Sequence, residues 1–412
     1  MFNTDFVFTP GKLTICFDSS SGSSGKGKIG SHICQYANNW QFCCNTFAPQ
    51  AGHWVVLNDG RKFFYQTLNS CAYQHEKYEK MYLAPGSIIE LPAFFREMEE
   101  NNVPHHKIGI SPITAILQDI DGAFEKGQAD FDGKPLTNLH DGTIKTGTTA
   151  HGAGACRARR VLRRKEAKYA KDIPELKKYL CNVPEEIMNR LDKGQSGLLE
   201  IAQGFQLSYL LQDFFPFTTS RNCTTMAGLD DLMVPPIYAG NNIINLRTYP
   251  IRINSKKYTD KNGKHLTWAE IQEKTEGKDY NTIESYSGPS YPDSQELTWE
   301  QITKISGSPT PIMEITSVTK LPRRIFTFSK QNLTDAIRYN RGNGKTYLSL
   351  NFANYIDHNI YGKTEHLTTL NEKTLGTKIH NWIQTNLTPE QQTMLKFIGT
   401  GPNTEHSINL QP

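Results

Sequence analysis

Hydrophobic and polar positions alternate along the chain between short apolar runs and longer mixed segments. The apolar runs Leu13–Phe17, Trp54–Leu57 and Tyr347–Phe352 have the length of buried strands. Four mixed segments predict helices, and several of them open on proline, which favours the first helical turn. They are Pro92–Glu100, Ile173–Leu180, Pro184–Leu191 and Thr388–Phe397. Because strands and helices alternate without clear linkers, the pattern predicts an α/β fold. We expect residues 1–412 to form a single large domain, with a central, mostly parallel sheet flanked by helices and peripheral subdomains.

The segment 256–311 differs from the rest of the chain, since it is polar and rich in Lys, Tyr, Ser and Pro. Within it, Thr298-Trp299-Glu300 has the composition of a helix start and resembles Thr267-Trp268-Ala269. We expect a peripheral insertion here and assign it no function.

The bulk composition argues against several function classes. The chain has 412 residues, with 45 Lys and Arg against 41 Asp and Glu, and its formal net charge of +4 gives no electrostatic footprint for nucleic acid. Its eight cysteines show no CxxC spacing, which favours reduced thiols in the cytoplasm. The first residues lack the basic and apolar parts of a secretion signal, and no apolar run approaches the roughly 20 residues of a membrane span. We therefore expect a cytoplasmic protein without a membrane or nucleic-acid partner.

One dense basic run covers Arg157–Lys168. Such a run is commonly a solvated helix face. The adjacent Gly147-Thr148-Thr149 favours phosphate capture instead, and both interpretations remain open.

The most informative stretch is Leu13–Ser31, in which a predicted strand is followed by a Gly/Ser turn, by Gly25-Lys26-Gly27-Lys28 and by a helix start. Unpaired backbone N–H groups at a helix N-terminus bind anions, and two lysines beside them suit phosphate. The stretch is not a standard P-loop, because Ser20 stands where that motif has its first Gly, and Gly27 where it has Ser or Thr. On this motif alone, a flexible turn with solvated lysines remains the alternative.

Further motifs accompany this loop along the chain. They are Ala51-Gly52-His53, Gly147-Thr148-Thr149, Ala202-Gln203-Gly204, Pro322-Arg323-Arg324 and Gly399-Thr400-Gly401-Pro402. Together with Gly25–Ile29 they resemble the adenylosuccinate synthetase family, and the resemblance extends over nearly the whole chain. That family joins aspartate to C6 of a purine nucleotide at the expense of a nucleoside triphosphate. The resemblance therefore implies a C–N bond-forming ligase.

The resemblance implies catalytic roles for Ser23, Lys26 and His53. Lys26, with the backbone amides of its loop, holds the phosphoryl group that is transferred to the 6-oxygen of the purine. His53 serves that oxygen as general acid, a role that suits an imidazole because it titrates near neutral pH. The carbonyl oxygen of Gly52 is implied as a ligand of Mg²⁺, the expected cofactor.

The resemblance also implies binding residues. Nucleotide contacts are expected from Ser23, Ser24, Gly25, Lys26, Gly27, Lys28, Gln50, Thr148, Thr149, Gln203, Thr219, Asn351, Gly401 and Pro402. Arg163 corresponds to an arginine that reaches the neighbouring subunit's nucleotide in a homodimer, with Arg160 and Arg164 as alternatives. The aspartate substrate is expected at Thr319, Arg323 and Arg324, since a guanidinium binds a carboxylate with two parallel hydrogen bonds.

Three departures from the family pattern concern substrate choice. Ser23 and Ser24 replace an Asp-Glu pair, whose aspartate is the family's base for N1 and a magnesium ligand. Leu321 replaces an arginine near the ribose hydroxyl, which suits a 2′-deoxy substrate. Asn351 replaces an aspartate that selects guanine in the donor nucleotide, so ATP or dATP becomes the expected donor.

A branch of the family, encoded by phages that replace adenine with 2-aminoadenine, carries serine at the first of these positions and acts on dGMP. A small, uncharged side chain leaves room for the 2-amino group of guanine, and its oxygen accepts a hydrogen bond from that group. The acceptor of the N1 proton is left open between bound water and Asp18.

We therefore expect a ligase for dGMP, L-aspartate and ATP or dATP, working as a homodimer in the cytoplasm of a phage-infected bacterium. Its product is N6-succino-2-amino-2′-deoxyadenylate. Two alternatives remain, an ordinary adenylosuccinate synthetase that uses IMP and GTP, and a non-catalytic relative that binds purine nucleotides.

Overall fold

The computed structural model describes residues 2–135, 149–253, 287–315 and 322–411. Thr148, Thr319, Leu321, the helix start at Thr267 and residues 256–286 of the expected insertion lie outside the described residues.

The described strands are numbered here in chain order. They are β1 (Leu13–Asp18), β2 (Phe42–Asn45), β3 (His53–Val56), β4 (Lys62–Tyr65), β5 (Lys80–Leu83), β6 (Ile88–Ile89), β7 (Ile108–Ile110), β8 (Ala115–Ile116), β9 (Gly197–Glu200), β10 (Ala239–Arg247), β11 (Ile251–Arg252), β12 (Glu296–Leu297), β13 (Arg324–Phe326), β14 (Thr346–Asn351), β15 (Glu365–Leu367), β16 (Leu395–Gly399) and β17 (Ser407–Leu410).

The described α-helices are numbered in the same way. They are α1 (Lys26–Tyr36), α2 (Leu91–Glu100), α3 (Asp119–Glu125), α4 (Ala153–Val161), α5 (Val183–Asp192), α6 (Thr225–Leu232), α7 (Trp299–Ser306), α8 (Lys330–Tyr339), α9 (Glu372–Leu375), α10 (Thr377–Asn386) and α11 (Pro389–Met394). Short 3-10 helices occur at Asp5–Val7, Ala72–Gln74, His105–Lys107, Ala170–Asp172, Pro174–Tyr179, Phe205–Leu207, Pro236–Tyr238, Ala353–Tyr355 and His358–Ile360.

A ten-stranded sheet, in the order β15-β17-β16-β14-β10-β1-β9-β2-β5-β7, forms the centre of the described residues. Its neighbouring strands are parallel except for the antiparallel pair β16 and β17. This confirms the predicted α/β fold with a mostly parallel central sheet. Smaller sheets are formed by β11-β13-β12, β3-β4 and β6-β8.

Strand β1 is buried along its whole length, because the sheet is covered on both faces. Ile15 and Phe17 belong to one hydrophobic cluster, whereas Cys16 belongs to a second one that includes Ile29 and Ile33 of α1. A parallel strand covered on both sides reads as a continuous apolar run, which is why Leu13–Phe17 was recognisable in the sequence.

The predicted strands are confirmed as β1, β3 and β14, and the predicted helices starting at Pro92 and Pro184 as α2 and α5. The expected helix at Thr298 is confirmed as α7, whose first turn is closed by a capping box between Thr298 and Gln301. No helix among the described residues has both the length and the apolar character that crossing a membrane requires.

Two predicted helices differ in the structure. Ile173–Leu180 forms the 3-10 helix Pro174–Tyr179 instead of an α-helix. Thr388–Phe397 was predicted too long, because α11 ends at Met394 and the next residues form β16. Leu395, Phe397 and Ile398 are buried between β14 and β17, so strand pairing overrides the helical pattern there.

The parallel direction of the strands brings several polar residues to one edge of the sheet. Strands β1, β9, β10, β14 and β16 end there at Asp18, Glu200, Arg247, Asn351 and Gly399. Ligands of open α/β sheets bind at this carboxyl edge. The phosphate-binding loop predicted between β1 and α1 lies at the same edge.

Candidate active site

The loop between β1 and α1 is held closed by the buried carboxylate of Asp18. Its Oδ1 accepts hydrogen bonds from the backbone N–H (2.8 Å) and the hydroxyl (3.1 Å) of Ser20, and its Oδ2 accepts from the N–H of Ser24 at 3.0 Å. Gly25 is the N-cap residue of α1 and has a left-handed φ of 90°. Since these bonds engage both carboxylate oxygens, Asp18 is built into the loop as a structural brace.

Lys26 lies at the start of α1 and is almost completely buried. Its Nζ lies 3.6 Å from Oδ2 of Asp18 and donates to the carbonyl oxygen of Gln203 at 2.5 Å. The structure therefore joins two of the predicted motifs, the loop at Gly25 and the segment Ala202-Gln203-Gly204, through one ammonium group.

Ser23 adopts a left-handed backbone with φ of 56°, which is uncommon for a residue with a side chain. Its side chain is exposed, whereas Ser24 is buried with its hydroxyl 3.3 Å from that of Ser20. The carbonyl oxygen of Ser23 accepts a hydrogen bond from Nη1 of Arg247 at 2.8 Å. Ser23 is thus an exposed residue whose backbone carbonyl is held by Arg247.

Lys28 reaches from α1 to the loop that follows β16. Its Nζ donates to the carbonyl oxygens of Gly401 (2.8 Å) and His406 (2.6 Å), and burial lowers the pKa of Lys28 to about 7. The exposed Pro402 follows Gly401 in this loop. Lys28 therefore connects the first predicted motif to the last one.

His53 is buried at the start of β3, and its Nδ1 lies 2.8 Å from Oε1 of Glu200. The ring of His53 stacks on Phe47 with centroids 4.0 Å apart. Oε2 of Glu200 accepts from the hydroxyl (2.6 Å) and the N–H (3.2 Å) of Ser70. A Cβ on Gly27 would lie 3.2 Å from Cβ of His53, so α1 and the histidine are in close contact.

Burial and mutual attraction act in opposite directions on the pKa values of this pair. Burial lowers the pKa of His53, and the neighbouring carboxylate of Glu200 only partly offsets this effect. Burial acts to raise the pKa of Glu200, but His53 and Ser70 outweigh it, so the pKa of the carboxyl group is lowered overall. Glu200 is therefore a buried anion that favours the protonated form of His53.

Gly204 packs directly against the phosphate loop, since a Cβ there would lie 2.1 Å from the carbonyl oxygen of Ser20. The preceding Gln203 has a left-handed φ of 66°, and its Nε2 donates to the hydroxyl of Thr219 at 2.6 Å. The structure thus brings together Gln203 and Thr219, two residues that the sequence assigned to the nucleotide.

Asn351 is buried at the end of β14, between Gly25 and Gly399. A Cβ on Gly25 would lie 3.0 Å from its Cγ, and one on Gly399 would lie 2.4 Å from its Oδ1. Nδ2 of Asn351 donates to the hydroxyl of Ser349 at 3.1 Å, whereas its Oδ1 has no hydrogen-bond partner among the described residues. This buried acceptor lies next to Gly25 without a partner among the described residues.

Gln50 and Gly52 precede His53 in the chain. Oε1 of Gln50 is buried without a hydrogen-bond partner in the described part of the chain, and Gly52 is exposed. Thr149 begins the described segment that leads into α4 and is partly buried.

Arg163 follows α4 with a left-handed φ of 52° and an exposed side chain. Its neighbours are engaged within the chain, because Arg164 pairs with Asp132 and Glu166, and Arg160 donates to the carbonyl oxygen of Pro85. Of the three arginines considered for a contact with a second subunit, Arg163 is the one that projects into solvent.

Arg323 and Arg324 have different surroundings. Nε and Nη2 of Arg324 donate to the two carboxylate oxygens of Glu296, at 2.8 and 2.6 Å, and its Nη1 donates to the carbonyl oxygen of Gly288 at 2.7 Å. Among the described residues, the side chain of Arg323 makes one long contact, from its Nε to the carbonyl oxygen of Ile315 at 3.4 Å, and burial lowers the pKa of Arg323. Arg323 is therefore better placed than Arg324 to receive a further carboxylate.

The sequence interpretation missed Glu200 and Arg247 as parts of this site. Glu200 is the last residue of β9, and Arg247 is the last residue of β10. A charged residue at the carboxyl end of a buried strand is the signal that could have revealed them.

Comparisons with known proteins identify relatives of this chain. The sequence model of the family described as adenylosuccinate synthetase matches residues 19–171. The N6-succino-2-amino-2′-deoxyadenylate synthase of Acinetobacter phage SH-Ab 15497 is 30% identical over 373 residues, covering 84% of this chain and 84% of that protein. The enzyme of the same name from Vibrio phage phiVC8 is 27% identical over 353 residues, covering 84% and 86%. The adenylosuccinate synthetase of Archaeoglobus fulgidus is 31% identical over 242 residues, covering 59% and 66%.

Two solved structures share the fold. The succinoaminodeoxyadenylate synthetase of cyanophage S-2L, bound to dGMP and dATP, has a TM-score of 0.70 at 23% identity and covers 97% of this chain and 95% of that one. The fully ligated adenylosuccinate synthetase of Plasmodium falciparum has a TM-score of 0.70 at 15% identity, with coverage of 97% and 100%.

The α/β fold and these relatives define a C–N bond-forming ligase that binds nucleotides. The chain belongs to the adenylosuccinate synthetase family, as the sequence motifs predicted.

Proposed function

We propose that this ligase joins L-aspartate to C6 of dGMP and consumes ATP or dATP, giving N6-succino-2-amino-2′-deoxyadenylate. The observation that carries the proposal is the exposed, uncharged Ser23, held beside Lys26 in a loop whose following helix contacts His53. The names of the phage relatives and the ligands of the cyanophage enzyme support the same substrate.

The first step is phosphorylation of the 6-oxygen of the purine by the terminal phosphoryl group of the donor. Lys26 and the N–H groups at the start of α1 stabilise the negative charge on that group as it moves. His53 donates a hydrogen bond to the 6-oxygen while that oxygen attacks the phosphoryl group, and it acts as the acid for the same oxygen when the phosphate leaves in the second step. Glu200 stabilises the charged imidazole. In the second step the amine of aspartate attacks C6 and the phosphate leaves with the oxygen.

Ser23 selects the base in this proposal. Guanine carries a 2-amino group next to N1, and a serine side chain leaves space for that group where a longer, charged side chain would not. The hydroxyl accepts a hydrogen bond from the amine. Because Asp18 is braced by Ser20 and Ser24, we assign the N1 proton to bound water.

The aspartate substrate is assigned to Arg323 and to Thr319. The guanidinium of Arg323 is available for a two-point contact with a carboxylate, whereas that of Arg324 is held by Glu296. We assign Arg324 the role of orienting the segment on which Arg323 lies.

The donor base is assigned to Asn351 and to the loop at Gly401-Pro402. The free Oδ1 of Asn351 accepts a hydrogen bond from the 6-amino group of adenine, whereas guanine presents an acceptor at that position. This arrangement favours ATP or dATP over GTP.

The residues near the phosphate loop fit Mg²⁺ that is brought by the triphosphate. The described residues contain no cluster of three His, Cys, Asp or Glu side chains for a metal, and the oxygens of Gly52 and Ser23 are neutral. Mg²⁺ commonly takes one or two protein oxygens and completes its coordination with phosphates and water. When bound, the ion neutralises phosphate charge.

Product analysis with labelled dGMP tests the proposal. Purified protein receives dGMP labelled with oxygen-18 at the 6-oxygen, L-aspartate, ATP and Mg²⁺, and a matched reaction omits aspartate. We expect a product with the mass of dGMP plus aspartate minus water, together with labelled phosphate. Unlabelled phosphate in the presence of product would contradict phosphorylation of the 6-oxygen, and the absence of product would contradict the assigned reaction.

A further inference from the structure

Arg247, the last residue of β10, has a completely buried side chain at the carboxyl edge of the sheet. Its guanidinium lies over the ring of Phe352, with Cζ 3.7 Å from the ring centroid. A buried guanidinium is costly unless each of its donors has a partner and its charge is balanced. The partners of Arg247 therefore indicate which parts of the site this buried side chain positions.

Each branch of the guanidinium binds a different part of the site. Nη1 donates to the carbonyl oxygen of Ser23 at 2.8 Å, and Nε donates to the carbonyl oxygen of Tyr249 at 2.8 Å. Nη2 forms an ion pair with Oε1 of Glu314. The hydrogen bond from Nη1 fixes the carbonyl group of Ser23, whose backbone is left-handed. By holding this backbone, it sets the direction of the Ser23 side chain.

Glu314 continues the connection toward Arg323. Its carboxylate also accepts from the hydroxyl of Tyr355 at 2.8 Å, and its backbone carbonyl accepts from the N–H of Arg323 at 2.8 Å. Burial acts to lower the pKa of Arg323, Glu314 acts to raise it, and Arg247 acts to lower it. Arg247, Glu314 and Arg323 therefore form one charge-coupled group.

We propose that Arg247 is a positioning residue that orients Ser23 toward the purine and links this orientation to the segment that binds the amino-acid substrate through Glu314. The inference rests on the proposed function, because it assumes that Ser23 reads the base and that Arg323 binds aspartate. The buried guanidinium of Arg247 thus helps to position both Ser23, at the purine, and Arg323, at the aspartate substrate.

The geometry requires an arginine. A guanidinium carries donors in a fixed fork and serves Ser23, Tyr249 and Glu314 at once while it stacks on Phe352. A lysine keeps the positive charge and its ion pair with Glu314, but a single ammonium does not span the remaining acceptors. Arg247→Lys therefore separates positioning from charge.

The test compares Arg247→Lys and Glu314→Gln with wild type and with the control Arg190→Lys. Arg190 is also an arginine with a carboxylate partner, Glu79, and an aromatic neighbour, Tyr82, but it lies on α5, away from the carboxyl edge. The measurements are KM for aspartate, kcat and the ratio of kcat/KM for dGMP to that for IMP.

For Arg247→Lys we expect KM for aspartate to rise by about tenfold and the dGMP-to-IMP ratio to fall by about tenfold. Glu314→Gln keeps the acceptor for Tyr355 and is expected to raise KM for aspartate while the ratio changes less. The control is expected to change neither by more than about twofold.

A loss of stability and kcat in Arg247→Lys with unchanged KM and ratio would overturn the inference, because a purely structural role lowers only the folded fraction. If Arg247→Lys does not fold, an unchanged KM for aspartate in Glu314→Gln overturns it instead. Failure of wild type to use dGMP would reject the proposed function, a result that is distinct from both.

Discussion

At the residue scale, the proposed chemistry depends on the pair His53 and Glu200, in which burial and charge act in opposite directions on the pKa of His53. Burial lowers the pKa of His53, and the carboxylate of Glu200 limits the decrease. A general acid needs its proton at the working pH. In the proposed mechanism, Glu200 therefore supports the role of His53 as an acid in a buried position that disfavours the charged imidazole.

Glu200→Gln tests this relation. The amide keeps a partner for Ser70 but removes the charge, so the pKa of His53 falls further and the protonated fraction at pH 7 decreases. We expect kcat at pH 7 to fall by about 100-fold and the alkaline limb of the pH–kcat profile to move to lower pH. The profile is measured with saturating substrates, and His53→Ala, expected to lose turnover while still binding dGMP, serves as the reference. An alkaline limb at the wild-type position would contradict the account.

Ser23→Asp tests base selection. The larger, charged side chain is expected to compete for the space of the 2-amino group, and the kcat/KM ratio for dGMP over IMP should fall by at least about tenfold. Ser23→Ala is the matched control, because it removes the hydroxyl without filling the space, and it should retain most of the preference for dGMP. Steady-state phosphate release measures both variants, and an unchanged ratio in Ser23→Asp would mean that Ser23 does not read the base.

The single residues recognised in the sequence were those in local motifs. Lys26, His53 and Gln203 stand in short, distinctive strings, and the structure places them around the same loop. Glu200 and Arg247 were missed because their partners, His53 and Ser23, are 147 and 224 residues away in the chain. Such pairs are defined by the order of strands in the sheet, which no local pattern contains.

At the scale of elements, the site is formed by turns that follow parallel strands. The turn after β1 is packed against the turn after β9, where Gly204 contacts the carbonyl oxygen of Ser20. This contact sets the distance between Lys26 and Gln203. The strand-loop-helix order was predictable because β1 is a continuous apolar run that is followed by glycines.

Gly204→Ala is expected to separate these two turns. The added Cβ would lie 2.1 Å from the carbonyl oxygen of Ser20, so the backbone has to move. We expect a loss of stability of about 1–3 kcal/mol and a marked loss of turnover. Urea unfolding and phosphate release provide the readouts. Gly342→Ala is the control, since nothing lies within 4 Å of the added group, and equal effects of the two substitutions would exclude the proposed contact.

The boundaries of elements were less predictable than their existence. Thr388–Phe397 begins as a helix, as its Thr-Pro start indicated, but Leu395–Gly399 pairs with β14 and β17. The apolar spacing of that segment is compatible with both structures, and only the neighbouring strands decide between them.

At the scale of the whole molecule, the expected single domain 1–412 and the homodimer remain predictions. The exposed Arg163, beside Val161 and Leu162 that are 72% and 61% exposed, marks a surface suited to a second copy of the chain. The spacing from the Gly-Thr-Thr motif indicated Arg163. Its expected contact is with a second copy of the chain, and the structure of one chain does not test that contact.

Arg163→Ala tests the contribution across subunits. We expect the variant to remain dimeric by light scattering and to show KM for dGMP raised by about tenfold or more, because a charged contact to the nucleotide phosphate is lost. Arg341→Ala, which removes another exposed arginine, is the control. Full activity of a monomer would rule out a role of Arg163 in trans.

The most direct measurement of the central claim is phosphate release from the purified protein with Mg²⁺, L-aspartate and ATP, comparing dGMP, GMP and IMP side by side. The account predicts rapid release with dGMP and little with IMP, because Ser23 leaves space for the 2-amino group and offers it an acceptor. Release with IMP alone would contradict the account and would identify an ordinary adenylosuccinate synthetase.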